Sequence, residues 1–363
     1  MASSAETIFH LASFDRWTGA AAPALAEVEA LRRYGLESHY GYVGGGGLER
    51  RVRGLAFTHP VLGREQNPIS AVQEARRLRD LVERTGVTVI HAHQTHDHWL
   101  ARLAVRELNH VLLVRTFHSK RTLRRDPVTR WLLSRTAGIC VINATFPGAP
   151  ALSGWPVTFT PPPVDETVFV PGRGVRPRYG IPEGIPLLGI IGKVAPGRGF
   201  EDALRILGIV TRTHPEARLL VIGKGSHRPA LEELSRALGI AEAVIWAGYQ
   251  EEELVEHLQT PDLMLFTASG SDEGHRAILE AMACGTPVVS YPILGVRELL
   301  GTLGDRLLAR ASTPEAAAAV CDALLSGRER VEVDECARAT EPSRYPAAAA
   351  RLAGFYAALR AGV

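Results

Sequence analysis

The sequence predicts an α/β protein made of two doubly wound lobes. Short, uniformly apolar segments alternate with amphipathic helical segments along almost the whole chain. Strands that are apolar throughout are typical of parallel sheets covered by helices on both faces. At 363 residues the chain exceeds one ordinary core, so two lobes are expected. A break rich in Pro, Gly and Arg near mid-chain, at residues 161–184, marks the division between them.

The predicted elements follow this alternation in order. Before the break, strands are predicted at residues 8–13, 87–92, 111–117 and 138–142, with helices at 20–33 and 99–108. After it, strands at 187–193, 218–222, 243–247, 263–267 and 288–291 alternate with helices at 200–213, 228–238, 252–257 and 275–284. A last apolar helix is predicted at 346–361. The predicted domains are therefore a first lobe over 1–165, a linker over 166–183 and a second lobe over 184–344.

Composition and charge exclude several classes of protein. Apolar residues make up 46% and charged residues 22% of the chain, which is globular rather than disordered. A net charge of +2 gives no global argument for nucleic-acid binding. The four cysteines form no C-x-x-C pair, which suits a reducing compartment better than a zinc or disulfide framework. With no signal peptide and no apolar run near the roughly 18 residues of a membrane helix, we expect a cytoplasmic protein, at most peripheral at a membrane.

Residues 271–298 carry the pattern with the most chemical content. A polar loop with Asp272, Glu273 and Gly274 leads into a helix that begins at His275 and is followed by an apolar strand. The first N–H groups of a helix lack intrahelical partners and its dipole is positive there, so an anion is favoured. Carboxylates beside an anion site fit a ligand with phosphate at one end and hydroxyls at the other, such as a nucleotide sugar.

This segment resembles the E-x7-E signature and the following EAMA-x-G-x-PVV sequence of retaining GT-B glycosyltransferases of the glycosyltransferase 4 type. The matching positions are Glu280, Ala281, Met282, Ala283, Gly285, Pro287, Val288 and Val289. Two assignments of the first acid stay open, because Asp272 has the seven-residue spacing to Glu280 whereas Glu273 with Gly274 matches the local E-G pair. The resemblance implies a GT-B fold, with two Rossmann-like lobes facing a cleft and a C-terminal helix at 345–363 packed back on the first lobe.

The resemblance also implies which residues hold the donor diphosphate. Lys193 and Arg198, in a turn after an apolar strand, correspond to the two cations of the family's G-R-L…K-G loop, with Lys and Arg exchanged. Both positions stay cationic, although a guanidinium fork and an ammonium differ in geometry. The helix tip at Gly274, His275 and Arg276 would supply the remaining donors.

Other site residues are implied by their place in the same frame. His118 ends a predicted strand, where ligands of open α/β sheets bind, and would face the donor sugar. Gly19 opens the first helix and would approach the diphosphate, unless it serves only as a turn. Glu280 would accept hydrogen bonds from the ribose. Gly223 and Tyr249 would lie near the nucleoside, with a core role for Tyr249 as the alternative.

The segment HAHQTHDH at residues 91–98 leaves three interpretations. Strand periodicity puts His91 and His93 on one face, with Asp97 as a further candidate metal ligand. An acceptor pocket and plain packing are the alternatives, and the family carries a similar segment without a structural metal. We therefore predict no metal and no cofactor, the nucleotide sugar being a substrate.

Residues 120–135 form a basic segment. Beside Asp126 and Trp131 it holds six cations, which are Lys120, Arg121, Arg124, Arg125, Arg130 and Arg135. Such a segment suits a solvated helix, an acidic acceptor or an anionic membrane surface at the inner membrane face.

The implied function is that of a hexosyltransferase-type glycosyltransferase. It would move a sugar from a nucleotide-diphosphate donor to an acceptor hydroxyl, in glycoconjugate or cell-surface polysaccharide synthesis. The expected partners are a nucleotide sugar and a glycan or lipid-linked acceptor, with no nucleic acid. Two rivals remain: a GT-B sugar-nucleotide epimerase or phosphorylase, and a catalytically eroded nucleotide-sugar-binding protein.

Overall fold

The computed structural model describes residues 6–17, 20–64, 68–268 and 275–362. These divide into two compact units. The N-terminal unit runs to Asp165 and also takes in the residues from Pro342 onward, and the C-terminal unit runs from Glu166 to Glu341. Four of the predicted site residues lie outside the described residues, namely Gly19, Asp272, Glu273 and Gly274.

A seven-stranded parallel sheet forms the centre of the N-terminal unit, in the order β3-β2-β1-β4-β5-β6-β7. Its strands are β1 (Thr7–Leu11), β2 (Glu37–Val43), β3 (Thr58–Leu62), β4 (Val89–Ala92), β5 (Leu112–Phe117), β6 (Gly138–Val141) and β7 (Val157–Phe159). The helices between them are α1 (Ala21–Arg33), α2 (Glu49–Val52), α3 (Pro68–Thr85), α4 (Thr95–Ala104) and α5 (Pro127–Leu133). Each residue of β4 and β5 is buried, as expected for strands covered on both faces.

The C-terminal unit has a five-stranded parallel sheet in the order β10-β9-β8-β11-β12. Its strands are β8 (Leu187–Ile191), β9 (Arg218–Ile222), β10 (Val244–Gly248), β11 (Leu263–Phe266) and β12 (Val288–Ser290). Its helices are α6 (Phe200–Val210), α7 (Arg228–Ala237), α8 (Leu254–Leu258), α9 (Arg276–Ala283), α10 (Val296–Leu300), α11 (Gly304–Leu307), α12 (Pro314–Leu325) and α13 (Val333–Ala339). Central β8 thus places the turn that follows it at the middle of the sheet's carboxyl edge.

The last helix, α14 (Tyr345–Ala361), belongs to the N-terminal unit and packs on α1. The Tyr345 hydroxyl donates to Oε2 of Glu29 at 2.8 Å, and the Tyr356 hydroxyl bonds Nδ1 of His91 at 2.7 Å. Between them, buried Leu352 joins the apolar layer under the sheet, where burying one such side chain contributes about 2 kcal/mol. The helix is therefore held at two polar points and along one apolar face.

One predicted helix is wrong in register by a full turn. Helix α4 begins at Thr95, four residues before the predicted start at residue 99. The Asp97 carboxylate accepts hydrogen bonds from the backbone N–H of Gln94 at 2.7 Å and of Ser13 at 2.8 Å, which caps the helix at this point. Because the residues around its start, HQTHDH, are mostly polar, apolar periodicity does not indicate that the helix begins here.

Several elements were not predicted at all. They are β2, β3 and β7 with α2 and α3 in the first unit, and α10 to α13 in the second, whereas α5 lies in the basic segment for which a solvated helix was one alternative. Strand β2 reads ESHYGYV, and its polar and glycine positions break the apolar run by which the other strands are recognised. Within the described residues, no helix combines the length and apolar character that crossing a bilayer requires.

Candidate functional site

Two cations stand on the turn between β8 and α6. Lys193 is exposed and Arg198 partly exposed. Across the described part of the chain, neither side chain makes a hydrogen bond or an ion pair. Their charges are therefore available to an anion at the carboxyl edge of the sheet, where ligands of open α/β folds bind.

Gly199 fixes where this cationic turn lies. It has φ of +82° at the start of α6, and a Cβ there would stand 2.4 Å from Oγ1 of Thr267. The Thr267 hydroxyl donates to the Gly199 carbonyl at 2.8 Å. Because Thr267 follows β11 directly, the turn is bonded to the strand that leads into residues 269–274 and α9. Only glycine allows so close an approach of two backbones.

Two further glycines hold the turn from the side of β9. A Cβ on Gly223 would lie 1.9 Å from the Gly192 carbonyl oxygen, and one on Gly225 would lie 1.8 Å from that of Val194. The Val194 N–H donates to the Lys224 carbonyl at 3.1 Å in the same contact. Gly223 was predicted near the nucleoside; it lies against the backbone of the cationic turn, and its N–H donates to the Gly248 carbonyl at 2.7 Å. The nucleoside role stays a prediction.

The tip of α9 has a strained backbone. His275 precedes the helix with φ of +51°, the one non-glycine residue with positive φ among those described. Such a conformation costs about 1 kcal/mol or more. Its imidazole is buried, donates from Nε2 to the Leu294 carbonyl at 2.9 Å, and meets the Phe266 ring edge-on. The side chain thus points into the protein, which leaves the backbone N–H as the part of His275 that can reach a diphosphate.

Glu280 and Arg276 form an ion pair along α9. Nη1 of Arg276 lies 3.3 Å from Oε1 of Glu280, one helical turn away, and Glu280 is buried. Burial of a carboxylate is tolerable when a cation compensates it. The predicted ribose acceptor and the predicted diphosphate cation therefore lie on one face of the same helix, each orienting the other.

Tyr249 lies just past β10 and is 48% exposed, so the alternative of a core tyrosine is wrong. Nζ of Lys224 stands 4.5 Å from the centre of its ring. A half-exposed aromatic ring with a cation over one face is suited to a nucleobase and a neighbouring phosphate. Lys224 was not predicted as a site residue, although the sequence places it between two glycines in a turn at the end of a strand.

In the N-terminal unit, His118 follows β5 and is partly exposed. Its Nε2 lies 3.0 Å from Nδ1 of His93, and the ring of Phe14 meets it edge-on at 6.1 Å. Burial of the ring, and then the nearby Arg115 guanidinium, lower the pKa of His118 to about 3. The imidazole is therefore neutral at physiological pH and carries one proton.

The structure overturns Asp97 as a companion of His91 and His93. Asp97 caps α4, whereas His10 and Glu27 join these two histidines, with one ligand atom of each of the four residues within 4.8 Å of the others. Glu27 was missed, although it interrupts an apolar helical stripe through Ala24 and Leu31. Burial raises the pKa of Glu27 to about 8 and lowers that of His10 to about 3, so both groups are mainly uncharged at neutral pH.

The sequence of the chain matches two family models. One, described as glycosyl transferases group 1, covers residues 174–340, and the other, glycosyltransferase family 4, covers residues 17–145. A 2-deoxystreptamine N-acetyl-D-glucosaminyltransferase of Streptomyces fradiae is 32% identical over 131 residues, 36% of this chain and 31% of that protein. A D-inositol 3-phosphate glycosyltransferase of Stackebrandtia nassauensis is 34% identical over 169 residues, 42% and 37% of the two chains. The chain thus spans less than half the length of these relatives.

Solved structures show the same fold at low identity. HepE of Anabaena in complex with UDP superposes with a TM-score of 0.79 at 14% identity, over 97% of this chain and 100% of that chain. Sucrose-phosphate synthase of Thermosynechococcus elongatus gives 0.75 at 15% identity, over 99% and 100%. Both lobes match family models, both sheets are parallel with helices on either face, and the fold is that of GT-B enzymes. The chain belongs to the GT-B glycosyltransferases of the family 4 type.

Proposed function

We propose that this protein moves a hexosyl group from a nucleoside diphosphate sugar to an acceptor hydroxyl, with retention of the anomeric configuration. The observation that carries the proposal is the cationic turn, where Lys193 and Arg198 have no partner among the described residues. Through Gly199 and Thr267 this turn is bonded to the strand that leads into α9. A cation pair fixed at the carboxyl edge of a parallel sheet suits a diphosphate.

The chemistry proposed here follows from charge development. As the bond to the anomeric carbon breaks, negative charge grows on the departing diphosphate and positive charge on the sugar ring. Lys193, Arg198 and the first N–H groups of α9 would stabilise the diphosphate more in the transition state than in the ground state. Glu280, held by Arg276, would accept hydrogen bonds from the ribose. The leaving phosphate would take the acceptor's proton, so that neither a metal ion nor a cofactor is needed.

UDP-sugars are the first donors to test, because the similar HepE structures hold UDP and UDP-glucose. The acceptor proposed is a glycan or a lipid-linked hydroxyl in glycoconjugate or polysaccharide synthesis. The cyclitols named in two relatives, 2-deoxystreptamine and D-inositol 3-phosphate, belong in the same acceptor panel.

The test is a transfer assay followed by NMR of the anomeric proton of the product. An α-linked donor that yields an α-linked product supports retention, and a β-linked product contradicts it. Donor turnover without an acceptor would favour an epimerase, and turnover that requires phosphate would favour a phosphorylase. Donor binding with no product from any acceptor would favour an eroded binding protein.

We also propose that the protein works in the cytoplasm and rests on an anionic membrane surface through one patch. The patch is defined by four exposed apolar side chains of α4 and α5, which are Trp99 (36% exposed), Leu103 (38%), Val128 (52%) and Trp131 (43%). The two indoles pack at 4.7 Å, and the Arg102 guanidinium lies 4.0 Å from the Trp131 ring centre. Tryptophan beside arginine suits the interface between lipid headgroups and acyl chains.

Charge distribution supports an anionic partner for this patch. Residues 120–135 hold six cations and one acid, whereas the remaining 35 basic and 38 acidic residues leave the rest of the chain at −3. The acid, Asp126, is engaged as the N-cap of α5. Sedimentation with vesicles of phosphatidylcholine, with and without phosphatidylglycerol, tests the proposal.

The wild type should bind the anionic vesicles, and an R124E/R125E variant should bind at least about tenfold more weakly. The matched control is R212E/R236E, which reverses two exposed cations of the C-terminal unit and should bind as the wild type does. Equal binding by both variants, or none by the wild type, would contradict the membrane role. If the wild type binds an acidic glycan and does not bind the vesicles, the patch is a binding surface for the acceptor and not for a membrane.

A further inference from the structure

Three histidines form a continuous hydrogen-bonded chain inside the N-terminal unit, and one carboxyl group lies beside it. Nδ1 of His10 lies 2.9 Å from Nε2 of His93, and Nδ1 of His93 lies 3.0 Å from Nε2 of His118. Oε2 of Glu27 stands 3.6 Å from the first of these four atoms and 3.7 Å from the second. We call His10, His93 and His118 the histidine chain. It runs from the closed core, where His10 is fully buried, to the partly exposed end of β5.

The histidine chain is held rigidly by its neighbours. The ring of His91 stacks on that of His93 at 4.8 Å with an interplanar angle of 14°. His91 is itself fixed on both sides, by the Tyr356 hydroxyl at 2.7 Å and the Thr116 hydroxyl at 2.5 Å. The central ring therefore has little freedom to turn, and both of its nitrogens stay in their hydrogen bonds.

In a hydrogen-bonded chain of neutral imidazoles, the position of the proton on one ring determines its position on the others. Each ring has one N–H and one lone pair, because burial and the nearby charge of Arg115 lower the pKa values of His93 and His118 and keep both rings neutral. Two contacts then allow two arrangements. Either every proton lies on Nδ1, or every proton lies on Nε2, because each link needs one donor and one acceptor. The position of the proton on His118 is thus coupled to that on His10 through His93.

The two ends of the histidine chain decide between the arrangements. Nε2 of His10 and Nδ1 of His118 are both buried, and neither has a partner within the described ranges. A proton on Nε2 would leave His10 with an unpaired N–H at a place that no ligand reaches, and a buried unpaired donor is costly. A proton on Nδ1 puts the unpaired N–H on His118, whose residue borders the surface. Because the His118 residue is partly exposed, a small displacement lets water in the free protein, or a ligand, complete this hydrogen bond, whereas His10 is 0% exposed.

We infer that His93, backed by His10, is a positioning residue that places the single proton of His118 on Nδ1. This rests on the proposed glycosyl transfer only for its consequence. There, Nδ1–H of His118 donates to a hydroxyl oxygen of a substrate bound at the carboxyl edge of the N-terminal sheet, and the fixed ring holds that hydroxyl in place. An orienting partner that selects a histidine tautomer acts in this way in other enzymes.

The tautomer itself can be measured without any assay of activity. In ¹⁵N-histidine-labelled protein, long-range ¹H–¹⁵N correlation distinguishes Nδ1–H from Nε2–H, and the spectrum of a His118→Gln variant identifies the signals of His118. The inference requires Nδ1–H on His118 in the free wild type. A main population of Nε2–H, or a protonated ring at pH 7, would overturn it. This result does not depend on whether the protein is a transferase.

A pair of amide variants tests the consequence for catalysis. An asparagine at position 93 places its amide near the former Nδ1, towards His118, whereas glutamine places it near the former Nε2, towards His10. Both bury one amide, so a purely structural role predicts equal losses of melting temperature and of activity. We expect His93→Asn to keep kcat within about threefold and His93→Gln to lose at least about tenfold in kcat with little change in donor KM.

Equal kcat for the two variants, at matched melting temperature, would overturn the positioning role. If the wild type itself transfers no sugar, the proposed function fails and the NMR result still decides the tautomer. UDP binding to the C-terminal unit is measured in both variants. Unchanged UDP affinity shows that any loss of kcat arises in the N-terminal unit.

Discussion

Replacing Glu27 with Gln should remove a pH dependence from the stability of the N-terminal unit. Burial raises the pKa of this carboxyl from 4.5 to about 8. Below pH 4.5 it is protonated in both the folded and the unfolded chain. Between 4.5 and 8 the unfolded chain ionises and the folded protein does not, so the free energy of unfolding falls as pH rises. Glutamine keeps the shape of the neutral carboxyl and does not titrate.

The magnitude follows from the width of that window. One pKa unit corresponds to about 1.4 kcal/mol, so a window from 4.5 to about 8 gives a loss of about 4–5 kcal/mol by pH 8 in the wild type. Side-chain exposure of Glu27 is 1%, so solvent does little to reduce this value. Against a typical total stability of about 5–15 kcal/mol, the loss is large enough to measure.

Urea denaturation followed by tryptophan fluorescence at pH 5, 6, 7 and 8 is the assay. Four of the five tryptophans lie in the N-terminal unit, and a Trp246→Phe background removes the other. The difference in unfolding free energy, Glu27→Gln minus wild type, should rise steadily from pH 5 to pH 8. Glu83→Gln, which removes a half-exposed carboxylate of the same unit, is the matched control for the exchange of Glu for Gln. Parallel profiles for Glu27→Gln and the wild type would refute the burial argument.

Three further predictions concern other parts of the molecule. Gly225→Ala should lower the free energy of unfolding by about 2 kcal/mol or more, because its Cβ would meet the Val194 carbonyl at 1.8 Å. It should also weaken UDP binding measured by calorimetry. Gly208→Ala, with open space around its Cβ, should change neither quantity. Tyr249→Ala should weaken UDP binding about tenfold and Tyr249→Phe hardly at all, since stacking needs the ring and not the hydroxyl; equal loss in both would exclude stacking. The N-terminal unit should lose stability as pH falls from 6.5 towards 3, because His10 and His98 have folded pKa values of about 3. In this range only the unfolded chain gains protons on these two residues. A urea midpoint that does not change with pH across this range would contradict those pKa shifts.

The sequence allowed the α/β class and most of the C-terminal unit to be predicted. Strands at 218–222 and 263–266 and the helix at 276–283 are where apolar periodicity indicated them, to within a residue at either end. This worked because central parallel strands must be apolar on both faces, and because Gly285 ends α9 with φ of +84°. The cationic turn could be recognised for the same reason, as a glycine-rich segment between a clear strand and a clear helix.

The polar interior of the N-terminal unit could not be predicted in the same way. Partners such as Glu27 and His93, or His91 and Tyr356, are 66 and 265 positions apart in the chain, and no local pattern joins them. Apolar periodicity also treats a buried histidine as a surface residue, which explains the misplaced start of α4. The side-chain direction of His275 depends on its positive φ, a property that its sequence neighbours do not indicate. Placement of the predicted acids and Gly19 stays a prediction.

Calorimetric titration with UDP tests most directly whether the cationic turn holds a diphosphate. The wild type should bind, Lys193→Ala and Arg198→Ala should each weaken binding by at least about tenfold, and the double variant should abolish it. The control, Arg212→Ala, removes an exposed cation elsewhere in the same unit and should bind like the wild type. Unchanged UDP affinity in the folded double variant would contradict the proposed site and, with it, the proposed function.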